Sequence, residues 1–140
     1  MKILVTVDGS DISSRALKQA VKLAKQFARP AKVAVLHVDP PVFPGVQRRI
    51  GVDAVRAYHA DNHEYALSAA RKALGRSKAD VEELTAVGEI AETILEVARK
   101  RKIDLIVMGS HGRGAVKGVL LGSVSSKVIA QAEIPVMIVR

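Results

Sequence analysis

The residues best suited to chemistry lie in one stretch, Met108-Gly109-Ser110-His111-Gly112-Arg113-Gly114, continuing to Leu121-Gly122-Ser123-Val124-Ser125-Ser126. Gly109 and Gly112 stand three positions apart, and nine residues separate Gly112 from the Gly122-Ser123 pair. Glycine lets the backbone approach a ligand closely. Free backbone N–H groups can then cradle phosphate oxygens. Gly122-Ser123 opens a predicted helix, where N–H groups and the dipole favour an anion, and the Ser123 hydroxyl adds a donor. Arg113 and Lys117 bring positive charge nearby. The same residues also fit a glycine-rich turn followed by a serine-capped helix, so the glycines alone leave both readings open. A Walker-type G-x-x-x-x-G-K-[ST] loop is absent. Gly112-Arg113-Gly114 with Gly118 gives only a G-x-G-x-x-x-G variant, without the acidic residue that a dinucleotide site places after its next strand.

Other side chains offer less. His59 and His63 are i and i+4 on a predicted helix, with Asp61 and Glu64 beside them. That spacing can hold a metal, but Ala60 breaks the His-Glu-x-x-His pattern and no third ligand is evident, so a solvated helix face is the simpler reading. His37 lies in a predicted buried strand and suits packing or loop orientation better than proton transfer. His111 either touches phosphate or bonds within its own loop. Asp8 follows the first apolar run and could hold Mg²⁺ together with phosphate oxygens. There is no Cys, which excludes a disulfide framework, a thiolate metal site and a Cys nucleophile, and suits a reducing compartment.

These residues need elements to position them. Lys2–Val7 is a short apolar run, read as a buried strand. Ala16, Leu17, Ala20, Val21, Ala24 and Phe27 recur at helical spacing. Lys32–Val38 is a second strand. Asp39–Gly45, with Pro40, Pro41 and Pro44, is a loop. A long helix is predicted over Val52–Leu74 and a strand over Val81–Val87. An amphipathic helix covers Glu89–Lys102, with Ile90, Ile94, Val97 and Ala98 on one face. A strand at Ile103–Met108, a short helix to about Ala132 and a strand at Pro135–Val139 complete the order βαβαβαβαβ. Such alternation implies an α/β fold: a single open five-stranded parallel sheet with helices on both faces, Rossmann-like. Ligands bind such sheets beyond the carboxyl ends of the strands, where strand order reverses, and that should place Asp8 and Gly109 together.

With 140 residues the chain is expected to be one domain, 1–140. The run after Lys2 stops at Asp8, too short for a signal core or a membrane span, so a cytoplasmic protein is expected. The net charge of +8 raises the question of nucleic acid, but it is spread evenly: residues 1–70 and 71–140 each carry +4. The run Arg99-Lys100-Arg101-Lys102 ends a predicted helix, where cations complement the dipole. Aromatic residues are 3% of the chain and form no evident stacking platform, so nucleic acid is an unlikely partner.

Across nearly its whole length the sequence resembles the universal stress protein family. The matching blocks are Ile3-Leu4-Val5-Thr6-Val7-Asp8-Gly9-Ser10, Val35-Leu36-His37-Val38, Val87-Gly88, Asp104 to Gly112, Leu121-Gly122-Ser123-Val124 and Ile134-Pro135-Val136. The spaced motif G-x2-G-x9-G-S is the mark of that family's ATP-binding branch. The resemblance implies an adenine-nucleotide alpha-hydrolase-like fold and ATP as ligand. Asp8 would face the ribose or the nucleotide's Mg²⁺, and Val38 would offer backbone groups to adenine. Met108 and Gly109 would flank ribose and phosphates. Gly112, Gly122, Ser123, Val124 and Ser125 would hold phosphates, with Arg113 nearby, and Thr6 would line the pocket. A homodimer paired through Val136-Met137-Ile138-Val139 is also implied; that apolar edge would otherwise invite association. With no nucleophile–base pair evident, the expected role is nucleotide-dependent regulation, occupancy biasing the loops 39–51 and 109–122. A slow ATP or adenylyl hydrolase on the same fold, and a nucleic-acid-binding protein, are the alternatives.

Overall fold

The apolar runs become strands and the amphipathic segments become helices in the order predicted, with one helix added. The computed structural model describes residues 1–75, 80–114, 118 and 120–140. Strands β1 (Lys2–Thr6), β2 (Lys32–Asp39), β3 (Val81–Val87), β4 (Leu105–Gly109) and β5 (Val136–Val139) alternate with helices α1 (Asp11–Ala24), α2 (Val46–Ile50), α3 (Val52–Leu74), α4 (Ile90–Arg101) and α5 (Ser123–Gln131). All pairings are parallel, in the order β3-β2-β1-β4-β5.

Alternation along each strand divides the core in two. Ile3, Val5, Val33, Val35 and Val107 face α1 and α3, packing on Leu17, Ala20 and Leu67. Leu4, Ala34, Leu36, Ile106 and Met108 face α4 and α5, packing on Ile94, Leu95 and Val128. Strands covered on both faces must read as continuous apolar runs, which is why these segments do. The edge strand β3 is the exception. Its Glu83 accepts two bonds from Arg71 of α3, while Glu82 accepts one from Arg101 of α4.

Two readings are corrected. Phe27 does not continue the apolar face of α1: the helix ends at Ala24 and Phe27 is partly exposed. Pro30 disfavours helix in the residue before it, and the chain must turn into β2 there. Within the expected loop, Asp39 is the last residue of β2, and Val46–Ile50 forms the short helix α2, which has no buried residue. That helix buries nothing, so no apolar periodicity announces it.

α4 ends on Lys102, a non-glycine residue in the left-handed region (φ 54°), whose N–H closes on the carbonyls of Ala98 and Arg99. Lys102→Gly is expected to raise stability by about 0.5–1 kcal/mol and Lys102→Val to lower it by about 1 kcal/mol or more. Urea midpoints read both. Equal midpoints for the three proteins would contradict this account of the turn.

Candidate nucleotide site

The chain runs from β1 outward to β2 and β3, then crosses back to place β4 on the other side of β1. Loops leaving β1 and β4 therefore diverge and leave a crevice above the sheet. A cleft of about 250 Å³ lies there. One wall is apolar: Leu36 and Val38 of β2, Ile90 and Ile94 of α4, and Met108 of β4. The other is mostly polar: Thr6 at the end of β1 and Asp8 beyond it, Gly109 at the end of β4 with His111, Gly112 and Gly114 beyond it, and Gly122 to Ser125 at the start of α5.

Each polar element is held in place. The Asp8 carboxylate accepts from the Ser10 N–H at 2.9 Å, and Ser10 in turn caps α1 by accepting from the Ser13 N–H. The Ser110 carbonyl, in a buried residue, accepts from the Gly122 N–H at 2.7 Å and from the Ser125 hydroxyl at 2.8 Å. These two bonds tie the end of β4 to the first turn of α5. The Ser125 hydroxyl is thus committed to the fold. α5 begins at Gly122 without a side-chain cap, so the N–H groups of its first turn have neither an intrahelical partner nor, among the described residues, a side-chain capping oxygen. Ser123 is the first helical residue, not the cap.

The glycines differ in what surrounds them. A Cβ at Gly112 would lie 2.8 Å from Asp8 Oδ2, across the mouth of the cleft. A Cβ at Gly109 would lie 2.6 Å from Ile12 Cγ2. At Gly122 the nearest atoms are 3.4 Å away, an ordinary contact. Gly112 is therefore where added bulk enters the space between loop and carboxylate. His111 contributes a further feature. Its Nδ1 meets Ser110 Oγ at 3.1 Å, while its buried Nε2 has no hydrogen-bond partner among the described residues.

The structure brings Thr6, Asp8, Val38, Met108, Gly109, Gly112, Gly122, Ser123, Val124 and Ser125 together around the cleft. Arg113 is not part of the lining; its guanidinium lies 5.1 Å from the centre of the Tyr65 ring on α3. Lys117 lies outside the described residues. Leu36, Ile90 and Ile94 also line the cleft, although in sequence they read only as strand core and helix face. Their signal was positional: α4 starts just after β3, so its first turns must face the carboxyl end of the sheet.

The solvated-face reading of His59 and His63 is overturned. On the sheet face opposite the cleft, His59 Nδ1 pairs with Asp39 Oδ2 at 2.6 Å, and Asn62 donates to the same oxygen at 2.9 Å. His63 Nδ1 meets the Nδ1 of buried His37 at 2.7 Å. Among the described residues no group of three or more His, Cys, Asp or Glu is placed to hold a metal. Burial, then the neighbouring His63, holds the His37 pKa below 6.5; burial likewise lowers that of His63 against the opposing charge of Asp39. Burial alone would raise the Asp39 carboxyl, but hydrogen bonds from Asn62 and His59 outweigh it and hold it below 3.8.

A doubly wound α/β sheet with a glycine-lined crevice at its switch point defines a class of ligand-binding proteins. Within that class, the sequence profile of the universal stress protein family matches residues 1–140, and the chain belongs to that family. A universal stress protein of Methanocaldococcus jannaschii is 34% identical, the match covering 99% of this chain and 81% of that one. One of Bacillus subtilis is 35% identical, covering 99% and 98%. Among solved structures, UspA of Lactobacillus plantarum superposes with a TM-score of 0.81 at 25% identity, over 100% and 97% of the two chains. A universal stress protein in complex with cAMP gives 0.71 at 28% identity, over 100% and 97%. One from Archaeoglobus fulgidus in complex with dAMP gives 0.67 at 29% identity, over 100% and 98%. No helix among the described residues is long and apolar enough to cross a membrane.

Buried His37 and half-buried His63 set an acid response. With both pKa values lowered, the unfolded chain binds protons that the folded one refuses. Stability from this source is complete above 6.5 and is lost as pH falls from 6.5 through the folded values. Asp39 adds a further loss only below about 3.8, its carboxyl being held ionised in the fold. The urea midpoint is expected to fall as pH drops from about 7.5 to about 5, less steeply in His63→Asn. A flat profile in the wild type would contradict the lowered pKa values of the two histidines.

Proposed function

We propose that this chain binds an adenine nucleotide, ATP foremost, in the cleft above β1 and β4, and acts as a nucleotide-dependent regulator of stress responses. The observation that carries the reading is the division of the cleft. One wall suits an apolar heterocycle; the other presents glycine backbone and an uncapped helix start, as an anion requires. His111, whose buried Nε2 has no partner among the described residues, lines the same cleft. Relatives of the same fold, in complex with cAMP and dAMP, support an adenine ligand.

On this reading Val38 offers backbone groups to the base, and Thr6, Met108 and Gly109 flank the ribose. Gly112, Gly122, Ser123, Val124 and Ser125 hold phosphates, Ser125 through its backbone N–H. Asp8 supplies one carboxylate to Mg²⁺ that arrives with the nucleotide. A single carboxylate fits such a cation, which draws its other ligands from phosphate and water. The chain's own residues bind and orient; the metal would neutralise phosphate charge.

Calorimetry on nucleotide-stripped protein with Mg²⁺ tests this, comparing ATP, AMP, cAMP and GTP. Micromolar ATP binding is expected, weakened at least about tenfold by Gly112→Ala. Gly122→Ala should keep the fold's stability within about 0.5 kcal/mol, since its Cβ meets only ordinary contacts. Absence of binding to every nucleotide would remove the reading. Measurable Mg²⁺-dependent turnover would move the protein to the slow-hydrolase alternative.

A homodimer through β5 is the accompanying proposal. β5 pairs with β4 on one side and is the sheet's terminal strand on the other, and Val136, Met137, Ile138 and Val139 are only half-buried. An unprotected apolar edge is a template for pairing. Sedimentation equilibrium is expected to give twice the 15.0 kDa chain mass; a monomer at all micromolar concentrations would exclude it.

A further inference from the structure

Arg113 stands between two residues that line the cleft, Gly112 and Gly114, yet its own side chain lies outside the lining. It rests instead on Tyr65 of α3, the guanidinium carbon 5.1 Å from the ring centre, within cation–π reach. The same ring presses on the loop after β1: a Cβ on Gly9 would lie 2.5 Å from Tyr65 Cε1 and 2.9 Å from Cδ1, and Gly9 has φ +85°. Gly9 follows Asp8, whose Oδ2 would lie 2.8 Å from a Cβ on Gly112. One aromatic ring therefore meets both of the loops that face each other across the mouth of the cleft.

We propose that Tyr65 is a positioning residue of this site: by holding Arg113 beside the Asp8–Gly9 turn, its ring fixes the Gly112–Gly114 backbone in the geometry that receives the ligand's phosphates. The proposal rests on the nucleotide reading above and adds to it a residue of α3, an element that does not itself line the cleft.

The two ends of this contact differ in stiffness. Ala66, Leu67 and Ala70 bury α3 against the core, so the backbone beside Tyr65 is fixed. The glycine-rich loop is anchored at its base, where the Ser110 N–H donates to the Val139 carbonyl and the Ser110 carbonyl accepts from Gly122 and Ser125. Further along the loop, among the described residues, the next tie to a helix is Arg113 on Tyr65. Gly112 and Gly114 have no side chains to restrain them, and glycine gives the backbone its widest choice of conformations. Ordering that segment before the ligand arrives removes an entropic cost from binding. A cation–π contact at an exposed position is of the size that shifts such a population about two- to fivefold. The gain belongs to the phosphates. The apolar wall that suits the base is built from β2, α4 and β4, and a ligand without phosphates does not register the ring. A phenyl face serves the guanidinium as a phenol face does, whereas leucine fills space without a π face.

Two readouts separate the hold on the loop from its effect on the ligand. In ligand-free protein, the Arg113 side-chain protons are expected to be shifted upfield by the ring. The ¹⁵N order parameters of Gly112 and Gly114 are expected to fall in Tyr65→Leu, while Tyr65→Phe keeps both signatures. Tyr65 is more than half exposed, so neither substitution opens a cavity in the core. Unchanged order parameters in Tyr65→Leu would overturn the proposal whether or not nucleotide binds. The second readout is calorimetry with Mg·ATP and with adenosine. Tyr65→Leu is expected to weaken Mg·ATP about two- to fivefold and to leave adenosine unchanged, with Tyr65→Phe at the wild-type value. With Arg113→Gln already in place, Tyr65→Leu should cost nothing further. Equal losses for Mg·ATP and adenosine, no loss at all, or the same loss in the Arg113→Gln protein would each overturn the positioning role. No nucleotide binding by the wild type would defeat the functional reading and the ligand arm together, while the order parameters would still decide whether Tyr65 holds the loop.

Discussion

The pairing of β1 with β4 is the constraint on which the site depends. β1 is clamped between β2 and β4 in parallel register, with Ile3, Leu4 and Val5 wholly buried. Because β4 lies on the side away from β2, the chain leaving β1 turns to α1 beneath one face, and the chain leaving β4 turns to α5 beneath the other. The two connections cannot fill the space between them. Asp8 and Gly109 meet there for that reason, although 100 residues separate them. Their meeting is a property of strand order, not of local sequence.

The loop after β4 is then shaped from below. Two bonds to the Ser110 carbonyl draw the start of α5 back onto the end of β4, and a third links the Ser110 N–H to the carbonyl of Val139 in β5. Buried polar groups are costly when unpaired and are paired in nearly all folded proteins. Ser110 meets that requirement by locking three elements together. Among the described residues the His111 Nε2 is the exception at the same place, beside the uncapped start of α5.

The strands, the four longer helices and the glycine-rich loop were legible because each carries its signal locally. Buried parallel strands read as apolar runs, and the glycine spacing could be quoted directly. What was not legible depended on where distant elements land. Nothing in Val46–Ile50 distinguishes a short exposed helix from a loop. Phe27 keeps the spacing of α1 yet follows its end, because Pro30 overrides the period. The histidines of α3 are the instructive failure. His59 and His63 continue the buried stripe of Val55, Ala66 and Ala70, at the same three- and four-residue spacings. The inward face was written in the sequence, but polar residue type was allowed to outweigh position. That Asp39 and His37 would be waiting for them follows only from the register of β2 against α3.

Charge tells a related story. The surplus of +8 suggested an anionic partner, and some of the basic side chains are instead engaged within the fold. Arg71 binds Glu64 and Glu83, Arg101 binds Glu82, Lys100 binds Glu96, and Lys127 binds Glu89 and Glu92. Exposed pairs of this kind contribute about 0–1 kcal/mol each, so they matter less as stability than as placement. Arg71 and Arg101 hold the two faces of β3 against α3 and α4, where that strand has only one neighbour in the sheet. Arg113 differs from them in its partner. It rests on the Tyr65 ring rather than a carboxylate, a hold that neutralises none of its charge.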